Sequence, residues 1–320
     1  MRLSDLPAWF VIAFGVSFGL IWGSFLNVVI YRVPRGKSVV RPGSACPACG
    51  KPIRAWDNIP VFGFLMLRGR ARCCGAKLSA RYPLVELMGG VLAAAVLFVL
   101  VFPLPETTPI GMSLAVFASA LALSLGMVAA AFIDLEHMIL PDSITYGAAV
   151  LGLATASFRS MTFVDSLIGA AVGFAVVWVP FIVIYPRLRD GKVGMGLGDA
   201  KLMAAAGAWF GWPGALVVLG AGAVQGTVGA LLQVALKGKI EEPEEVKKER
   251  EELRAEMEKM TPEERAEVER ELAGDPLLEE AGDGMGNARV PFGPFLALAI
   301  IEYLFFGKRA LDWFLMLSSP

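Results

Sequence analysis

Eight stretches of the chain are rich in apolar residues and are separated by short polar segments. They cover residues 8–31, 83–102, 110–133, 143–157, 163–186, 198–210, 212–236 and 291–306. An α-helix rises about 1.5 Å per residue, so about 20 apolar residues cross the roughly 30 Å of hydrocarbon in a bilayer. The pattern predicts an all-α polytopic membrane protein with about eight transmembrane helices, three of which are short for a full crossing.

The distribution of charge predicts the orientation of these helices. Hydrophobic residues make up 56% of the chain, and the formal net charge is −1. Residues 32–82 carry eleven basic side chains and the single acid Asp57. The next predicted loop, residues 102–109, carries no basic side chain. Basic loops stay in the cytoplasm. Counting crossings from there brings the end of the third segment and the start of the sixth to the cytoplasmic face.

Two aspartates lie at those two segment ends. Asp134 follows the third segment, and Asp199 follows the turn Gly196-Leu197-Gly198 at the start of the sixth. An ionisable group at the edge of the hydrocarbon is costly and marks a candidate functional site. Two carboxyl groups a few Å apart cannot both ionise, so one can accept a proton from water while the other donates to a scissile carbonyl. The pair therefore predicts aspartyl proteolysis.

The same aspartates are also compatible with a purely structural role or with ion transport. Asp134 and Asp142 can terminate or cap helices around Pro141, and Asp199 can be the N-cap of the next helix. An ion-coupled transporter can use such a pair as well, although the chain shows no two related halves. The chain has one histidine, His137, which excludes a zinc protease site of the two-histidine type.

Several motifs occur in the order typical of one enzyme family. They are Gly23–Arg32, Arg81–Glu86, Phe132–Asp142, Met195–Leu202 and Val290–Phe295. Together they resemble the type IV prepilin peptidases, the leader peptidases of type IV pili and type II secretion. The resemblance implies that Asp134 and Asp199 are the catalytic pair. It implies supporting roles for Gly196, Gly198, Glu136, Asp142 and Lys201.

The resemblance also implies a substrate, a location and a second activity. Members remove the short basic leader of prepilins or pseudopilins at the cytoplasmic face of the bacterial inner membrane. The enzyme is therefore expected to contact membrane lipid. Many also N-methylate the new N-terminus with S-adenosyl-L-methionine, for which the sequence shows no recognisable site. No nucleic-acid partner is expected.

All four cysteines lie in the predicted cytoplasmic loop. Cys46 and Cys49 form a C-x-x-C knuckle, and Cys73 and Cys74 follow. Stable disulfides are disfavoured in the cytoplasm, so a structural tetrathiolate zinc site is predicted at these residues. The family pattern has a second C-x-x-C, but here Ala71 takes its first position. Adjacent cysteines are expected to share a metal only with a strained backbone; the alternative is a metal-free loop held by packing.

Residues 241–283 contain 18 acidic and 7 basic residues. Two charged helices are predicted there, over Glu244–Lys259 and Glu263–Leu272, with few apolar positions. We interpret this insertion as a solvated helical hairpin or an arm for a cytoplasmic protein partner, outside the catalytic core. Its replacement by a Gly/Ser linker is expected to leave leader cleavage intact.

The chain is thereby divided into five parts. They are a first transmembrane helix (1–31), a basic Cys-rich loop domain (32–82), a transmembrane catalytic core (83–237), a charged cytoplasmic helical insertion (238–289) and a last transmembrane segment with the C-terminus (290–320).

Glycines recur within the apolar segments at positions where helices can approach closely, including Gly19, Gly23, Gly169 and Gly173.

Overall fold

A computed structural model describes residues 2–188, 194–238, 242–271 and 290–318. The regular secondary structure in these ranges is helical, and they contain no β-strand. The helices are α1 (Ala8–Arg32), α2 (Phe62–Met66), α3 (Arg81–Val96), α4 (Ile110–His137), α5 (Asp142–Ala154), α6 (Phe163–Val177), α7 (Tyr185–Leu188), α8 (Leu197–Lys237), α9 (Glu244–Met257), α10 (Pro262–Glu271) and α11 (Gly293–Ser318). Wider π-helical turns continue α3 over Leu97–Val101 and join α6 to α7 over Trp178–Ile184.

Within the described residues, five helical stretches are long and apolar enough to cross a membrane. They are Ala8–Arg32, Arg81–Val101, Ile110–His137, Phe163–Leu188 and Leu197–Lys237, and a shorter apolar helix covers Gly293–Gly307. The prediction of an all-α, multi-pass membrane protein is confirmed. The predicted segment 143–157 is the 13-residue helix α5, which is short for a crossing.

The chain forms two compact units, of which the first comprises Met1–Ala129 and Ile301–Pro320. In this unit α1 packs closely on α3 because glycines leave room for the opposing backbone. A Cβ atom on Gly23 would lie 2.8 Å from the Glu86 carbonyl oxygen, and one on Gly90 would lie 2.8 Å from the Leu20 Cδ2 atom. The closeness that the glycine pattern predicted for Gly23 is confirmed.

The second unit comprises Ala130–Ile300 and contains both candidate catalytic aspartates. Here α6 packs on the first part of α8, where a Cβ on Gly169 would lie 2.8 Å from the Gly211 Cα atom. A Cβ on Gly173 would collide with the Met203 carbonyl oxygen. These glycines therefore allow backbone-to-backbone contact between the two helices.

The helix α8 reverses direction at Gly211, which has φ 72° and ψ 175° inside otherwise helical backbone. Gly198, near one end, approaches Leu140, and Gly226 approaches Phe292. A straight helix would separate Gly198 from Gly226 by about 42 Å. Leu140 also contacts Gly293, the neighbour of Phe292, so the two parts of α8 must run in opposite directions. The two segments predicted at 198–210 and 212–236 are thus distinct.

Arg159 stabilises the outer end of this unit. Its guanidinium donates to the carbonyl oxygens of Trp209 (2.9 Å) and Gly152 (2.5 Å) and lies 4.4 Å from the centre of the Trp209 ring. Trp209 in turn donates to the Ala148 carbonyl of α5 at 2.8 Å. A cation at a helix C-terminus interacts favourably with its free carbonyls, so Arg159 joins α5 to the end of the first part of α8.

The insertion contains both predicted helices, as α9 and α10, but α9 is not a freely solvated helix. Val246 is fully buried, and Arg250 and Met257 are less than one-tenth exposed. Arg250 forms a bidentate ion pair with Glu242, which is also buried. The interpretation of α9 as fully solvated is therefore wrong, whereas its alternative, an arm for a protein partner, stays a prediction. The predicted positions 272–289 lie outside the described residues.

Candidate active site and cysteine cluster

The two candidate aspartates lie close together in the second unit. Asp134 is in the last turn of α4 and is 5% exposed, and Asp199 is in the first turn of α8 and is 8% exposed. Their carboxylates are near enough for their charges to interact. The structure therefore brings together two buried acids that are 65 positions apart in sequence, as aspartyl chemistry requires.

Backbone groups and glycines surround the carboxylates. Asp199 accepts a hydrogen bond from the Gly196 N–H at 3.2 Å, which fixes the turn before α8. Asp134 lies within reach of the Gly293 N–H at the start of α11. A Cβ atom on Gly293 would lie 2.7 Å from the Asp134 Oδ2 atom, so only glycine fits there without a shift.

Leu140 lies between Gly198, the glycine beside Asp199, and Gly293, the glycine beside Asp134. A Cβ on Gly198 would lie 2.9 Å from the Leu140 Cβ atom, and a Cβ on Gly293 would lie 3.1 Å from its Cδ1 atom. Leu140 belongs to the short connection between α4 and α5, which begins at Met138 in the left-handed region with φ 53°. This connection thus contacts the glycine beside Asp199 and the glycine beside Asp134.

The predicted supporting residues divide into two groups. Asp142 and Lys201 form an ion pair of 2.5 Å, and the Lys201 ammonium lies 5.2 Å from the centre of the Tyr146 ring. Asp142 and Tyr146 are one turn apart on α5, so Lys201 joins the start of α8 to α5, two residues after Asp199. Gly196 and Gly198 shape the turn before α8.

Glu136 belongs to the second group. It is half-buried in the last turn of α4, two positions after Asp134. Residues two apart on a helix do not face the same side, so α4 directs Glu136 away from the carboxylate pair.

Two site residues were not predicted from the sequence. Gly293 lies within the motif Val290–Phe295 that carries the resemblance, so the sequence contained a signal for its position next to Asp134. Glu249 had none, because it is one of many glutamates in a charged helix. Its Oε1 atom lies 2.8 Å from the Nδ1 atom of His137, whose side chain is 1% exposed.

The four cysteines form a single cluster in the first unit. Their sulfur atoms all lie within 4.8 Å of one another, with 3.8 Å between Cys46 and Cys74, 3.3 Å between Cys49 and Cys73, and 3.9 Å between Cys73 and Cys74. Tetrahedral zinc with Zn–S bonds of about 2.3 Å places its sulfurs about 3.8 Å apart. The cluster has the size of a four-thiolate metal site.

Two matching turns position these sulfurs. In the first, the Cys46 N–H donates to Lys51 and the Gly50 N–H donates to Cys46; in the second, Ala71 donates to Ala76 and Gly75 donates to Ala71. Ala71 therefore occupies the place of Cys46 in the second turn, and Cys73 supplies the missing sulfur. Neither Cys73 nor Cys74 has a positive φ, so the expected backbone strain is not found.

Hydrogen bonding makes the cysteines unequal. The N–H groups of Ala48 and Cys49 lower the pKa of Cys46 to about 7, whereas hydrogen bonds with the sulfurs of Cys49 and Cys46 raise the pKa of Cys73 to about 12. Cys46 therefore forms the thiolate that a metal binds more readily than Cys73 does.

The cysteine loop is attached to the helices by Glu86 of α3. This carboxylate accepts hydrogen bonds from the Ser24 hydroxyl of α1 at 2.8 Å and from the Val61 N–H at 2.6 Å. Val61 has φ 62°, which is strained for a β-branched residue. The Glu86 carboxylate thus fixes an unfavourable turn and joins the loop to both α1 and α3.

Comparison with known proteins identifies the family. The profile of the type IV leader peptidase family matches residues 121–231, which include both aspartates, and that of the bacterial peptidase A24 N-terminal domain matches residues 17–100, which include all four cysteines. The chain belongs to the type IV leader peptidase family. This assignment supports the peptidase interpretation over the transporter alternative.

Similar proteins include several named prepilin leader peptidase/N-methyltransferase. The one from Myxococcus xanthus is 40% identical over 75% of this chain and 69% of its own length. Those from Neisseria gonorrhoeae and Aeromonas hydrophila are 35% and 38% identical over 74% of this chain and 88% and 84% of theirs. No solved structure matches this leader peptidase. The insertion at 238–289 lies outside the residues that either profile matches.

Proposed function

We propose that the protein is a membrane aspartyl endopeptidase that removes the short basic leader of a prepilin or pseudopilin at the cytoplasmic face of the bacterial inner membrane. We further propose that it N-methylates the new N-terminus. The observation that carries the peptidase proposal is the pair of buried carboxylates, Asp134 and Asp199, within the matched segment 121–231. The names of the similar proteins support both activities.

The chemistry assigns one proton to the carboxylate pair. The ionised carboxylate takes a proton from a water molecule, whose oxygen attacks the scissile carbonyl carbon. The protonated partner donates its proton to the carbonyl oxygen. The C–N bond then breaks: one acid gives its proton to the departing nitrogen, while a hydroxyl of the tetrahedral intermediate returns a proton to the other carboxylate. The pair again holds one proton, as it did at the start.

The surroundings of the pair support this assignment. Burial excludes bulk water and strengthens the interactions of the carboxylates with the reacting atoms. The Lys201–Asp142 ion pair and the Gly196 N–H hold the first turn of α8, which carries Asp199. We assign positioning roles to Gly196, Gly198, Asp142 and Lys201 on these contacts.

We propose that the cysteine cluster holds a structural zinc ion. Cys46, Cys49, Cys73 and Cys74 provide the four thiolates, and their spacing fits tetrahedral coordination. When bound, zinc would crosslink the two turns of the loop. This role requires no catalytic step.

The cleft beside this cluster is smaller than a typical pocket for a ligand of the size of S-adenosyl-L-methionine. The adjacent cleft, lined in part by Ile53, Asp57, Leu67 and Leu78, has a volume of about 190 Å³. Pockets for ligands of that size measure about 300–1,000 Å³. Asp57 is also engaged by Arg72, which holds the pKa of this carboxyl below its usual value. Methyl transfer is therefore proposed from the relatives' names, without residue roles.

We propose eight membrane segments, with α5 and the two parts of α8 counted separately. This count returns the second part of α8 to the cytoplasmic face before the insertion begins. A cytoplasmic protein with a basic surface is the proposed partner of the exposed acidic side chains of α9 and α10. Lipid contacts the exposed apolar faces, such as that formed by Phe14 and Trp22 on α1.

The test of the peptidase proposal uses the purified protein in detergent with a purified prepilin. Asp134→Asn and Asp199→Asn should each abolish leader release while leaving the thermal unfolding temperature nearly unchanged. Asparagine keeps the size and hydrogen bonding of aspartate but cannot transfer the proton, a step worth about 10²–10⁴-fold in rate. Asp165→Asn, which changes the N-terminal turn of α6, is the matched control. Near-normal turnover by either dyad variant would refute the assignment.

A further inference from the structure

A hydrogen bond joins the acidic helix α9 to the candidate catalytic helix α4. Glu249 contacts the Nδ1 atom of His137 at 2.8 Å. The His137 side chain is 1% exposed, and that of Glu249 is 38% exposed. The bond therefore joins a buried group on α4 to a partly exposed group on the insertion. A charge-assisted bond of this kind is stronger than a neutral one.

The rest of α9 is arranged so that this bond can persist. Val246, one turn before Glu249, is fully buried, and the neighbouring Arg250 is paired with Glu242 away from solvent. One face of α9 is thus covered by protein along two turns. Because α9 has buried residues on both sides of Glu249, the glutamate loses little side-chain freedom on meeting His137.

His137 is the last residue of α4 and lies in the same turn as Asp134. The helix ends immediately afterwards, where the Met138 N–H donates to the Asp134 carbonyl oxygen at 2.9 Å and Met138 adopts φ 53°. Helix ends fray readily because their last carbonyls lack intrahelical partners. An interaction between His137 and a residue outside α4 therefore stabilises the turn that carries Asp134.

The same turn leads directly to the surroundings of the second aspartate. Two residues after Met138, Leu140 packs against Gly198 and Gly293, the glycines beside Asp199 and Asp134. A displacement of His137 would move this connection and change the separation of the two carboxylates. A misplacement of about 1 Å at a reacting group can cost about 100-fold in rate.

We propose that Glu249 is a positioning residue for leader cleavage. By holding His137, it fixes the last turn of α4 and the connection through Leu140 in the arrangement that places Asp134 opposite Asp199. This inference rests on the proposed peptidase function. It makes the acidic insertion part of the catalytic machinery, through a residue outside both family profiles.

The proposal predicts a defect in kcat rather than in KM, because Glu249 acts through His137 and needs no contact with substrate. Leader release is measured with the full-length purified protein and a purified prepilin. Glu249→Ala should lower kcat about tenfold, below the limit of about 100-fold for a 1 Å displacement, with KM changed less than about twofold. Glu249→Gln, which keeps a hydrogen-bonding group, should retain an intermediate kcat.

The matched control is Glu251→Gln. Glu251 is an exposed residue of the same helix, two positions on and therefore on another face, and its variant should behave as the unchanged protein. His137→Phe, which keeps a ring but has no hydrogen-bonding nitrogen, should lower kcat to a similar degree as Glu249→Ala. The double variant should be no slower than either single variant, since both changes remove the same bond.

Hydrogen exchange provides a second readout. The backbone amides of residues 138–140 should exchange faster in Glu249→Ala than in Glu251→Gln. The proposal fails if Glu249→Ala has the kcat of the control, or if the His137 and Glu249 effects multiply in the double variant. The Asp134→Asn variant separates the two hypotheses. If it remains active, the proposed dyad fails; if it is inactive while Glu249→Ala behaves as the control, only the role of Glu249 fails.

Discussion

At the scale of single residues, the candidate site depends on glycines, which have no side chain, as much as on ionisable residues. Gly293 and Gly198 leave room for Leu140, and Gly293 also leaves room for the Asp134 carboxylate. An apolar side chain thus lies between the regions that hold the two acids. It excludes water from one side of the pair, where desolvation strengthens electrostatic interactions.

Gly293→Ala should reduce leader cleavage sharply. The new methyl group would lie 2.7 Å from the Asp134 Oδ2 atom, so the carboxylate must move, and a shift of about 1 Å can cost about 100-fold in rate. Gly147→Ala on α5, where a Cβ meets no atom within 4 Å, is the control and should keep its activity. Single-turnover rates of leader release compare the two. Equal rates would show that Asp134 does not need its present position.

The sequence could identify some of these residues because their chemistry is unusual where they occur. Asp134 and Asp199 are acids at the ends of apolar segments, and that cost makes them noticeable. Glu249 is one glutamate among many in a charged helix, so no local pattern distinguishes it. Its role depends on the distance to His137, 112 positions earlier, which only the fold determines.

At the scale of elements, the cysteine loop is built from two similar turns with different chemical content. The hydrogen bonds of the Cys46 turn recur around Ala71, yet only the first turn has a cysteine at that position. Cys73 brings its sulfur to 3.3 Å from Cys49 instead. The sequence indicated this substitution, but it did not indicate that the backbone accommodates adjacent cysteines without positive φ.

Moving the fourth thiol to Ala71 should preserve the metal site. We expect Cys73→Ser to lower bound zinc well below one ion per chain, and Ala71→Cys combined with Cys73→Ser to restore it. The reason is that Ala71 occupies the place of Cys46 in the second turn. The measurement is the metal content of the purified proteins. The control is Ala71→Cys combined with Cys46→Ser, which should not restore the bound zinc. Failure of the double variant to regain zinc would show that the two turns are not equivalent.

The helix α9 shows why an element can be predicted while its environment is not. The run of charged residues predicts a helix over Glu244–Lys259, which agrees closely with the observed Glu244–Met257. Its few apolar residues suggested a solvated arm. The sequence did not show that Val246, Arg250 and Glu242 are buried. Charged residues are rarely buried unless they pair, and only the structure reveals the Arg250–Glu242 pair. Deletion of the arm is accordingly expected to slow cleavage as Glu249→Ala does.

At the scale of the whole molecule, the reversal of α8 at Gly211 has consequences for topology. It returns the chain to the face where α8 began, so residues 238–289 should lie on the same side of the membrane as Asp199. The excess of basic residues at 32–82 independently predicts that this side is the cytoplasm.

Trypsin should therefore cut the insertion only from the cytoplasmic side. In inverted inner-membrane vesicles, cleavage at exposed basic residues of α9 and α10, such as Lys248, should separate the two large parts of the chain. Spheroplasts treated in the same way should keep the chain intact until they are lysed. Cleavage in intact spheroplasts would reverse the proposed orientation. Immunoblotting of the C-terminal fragment reports the result.

The glycine contacts between α6 and α8 restrict how a membrane-embedded substrate can reach the active site. Gly169 faces Gly207 and Gly211, and Gly173 faces Met203, with backbone against backbone along the seam. Packed helices usually stand 8–10 Å apart, and admitting a third helix between them would require the whole seam to separate. Lateral entry of a hydrophobic substrate segment through this seam is therefore closed. Such a segment must approach Asp199 along another side of α8, and mutations that block its passage should be sought on that side.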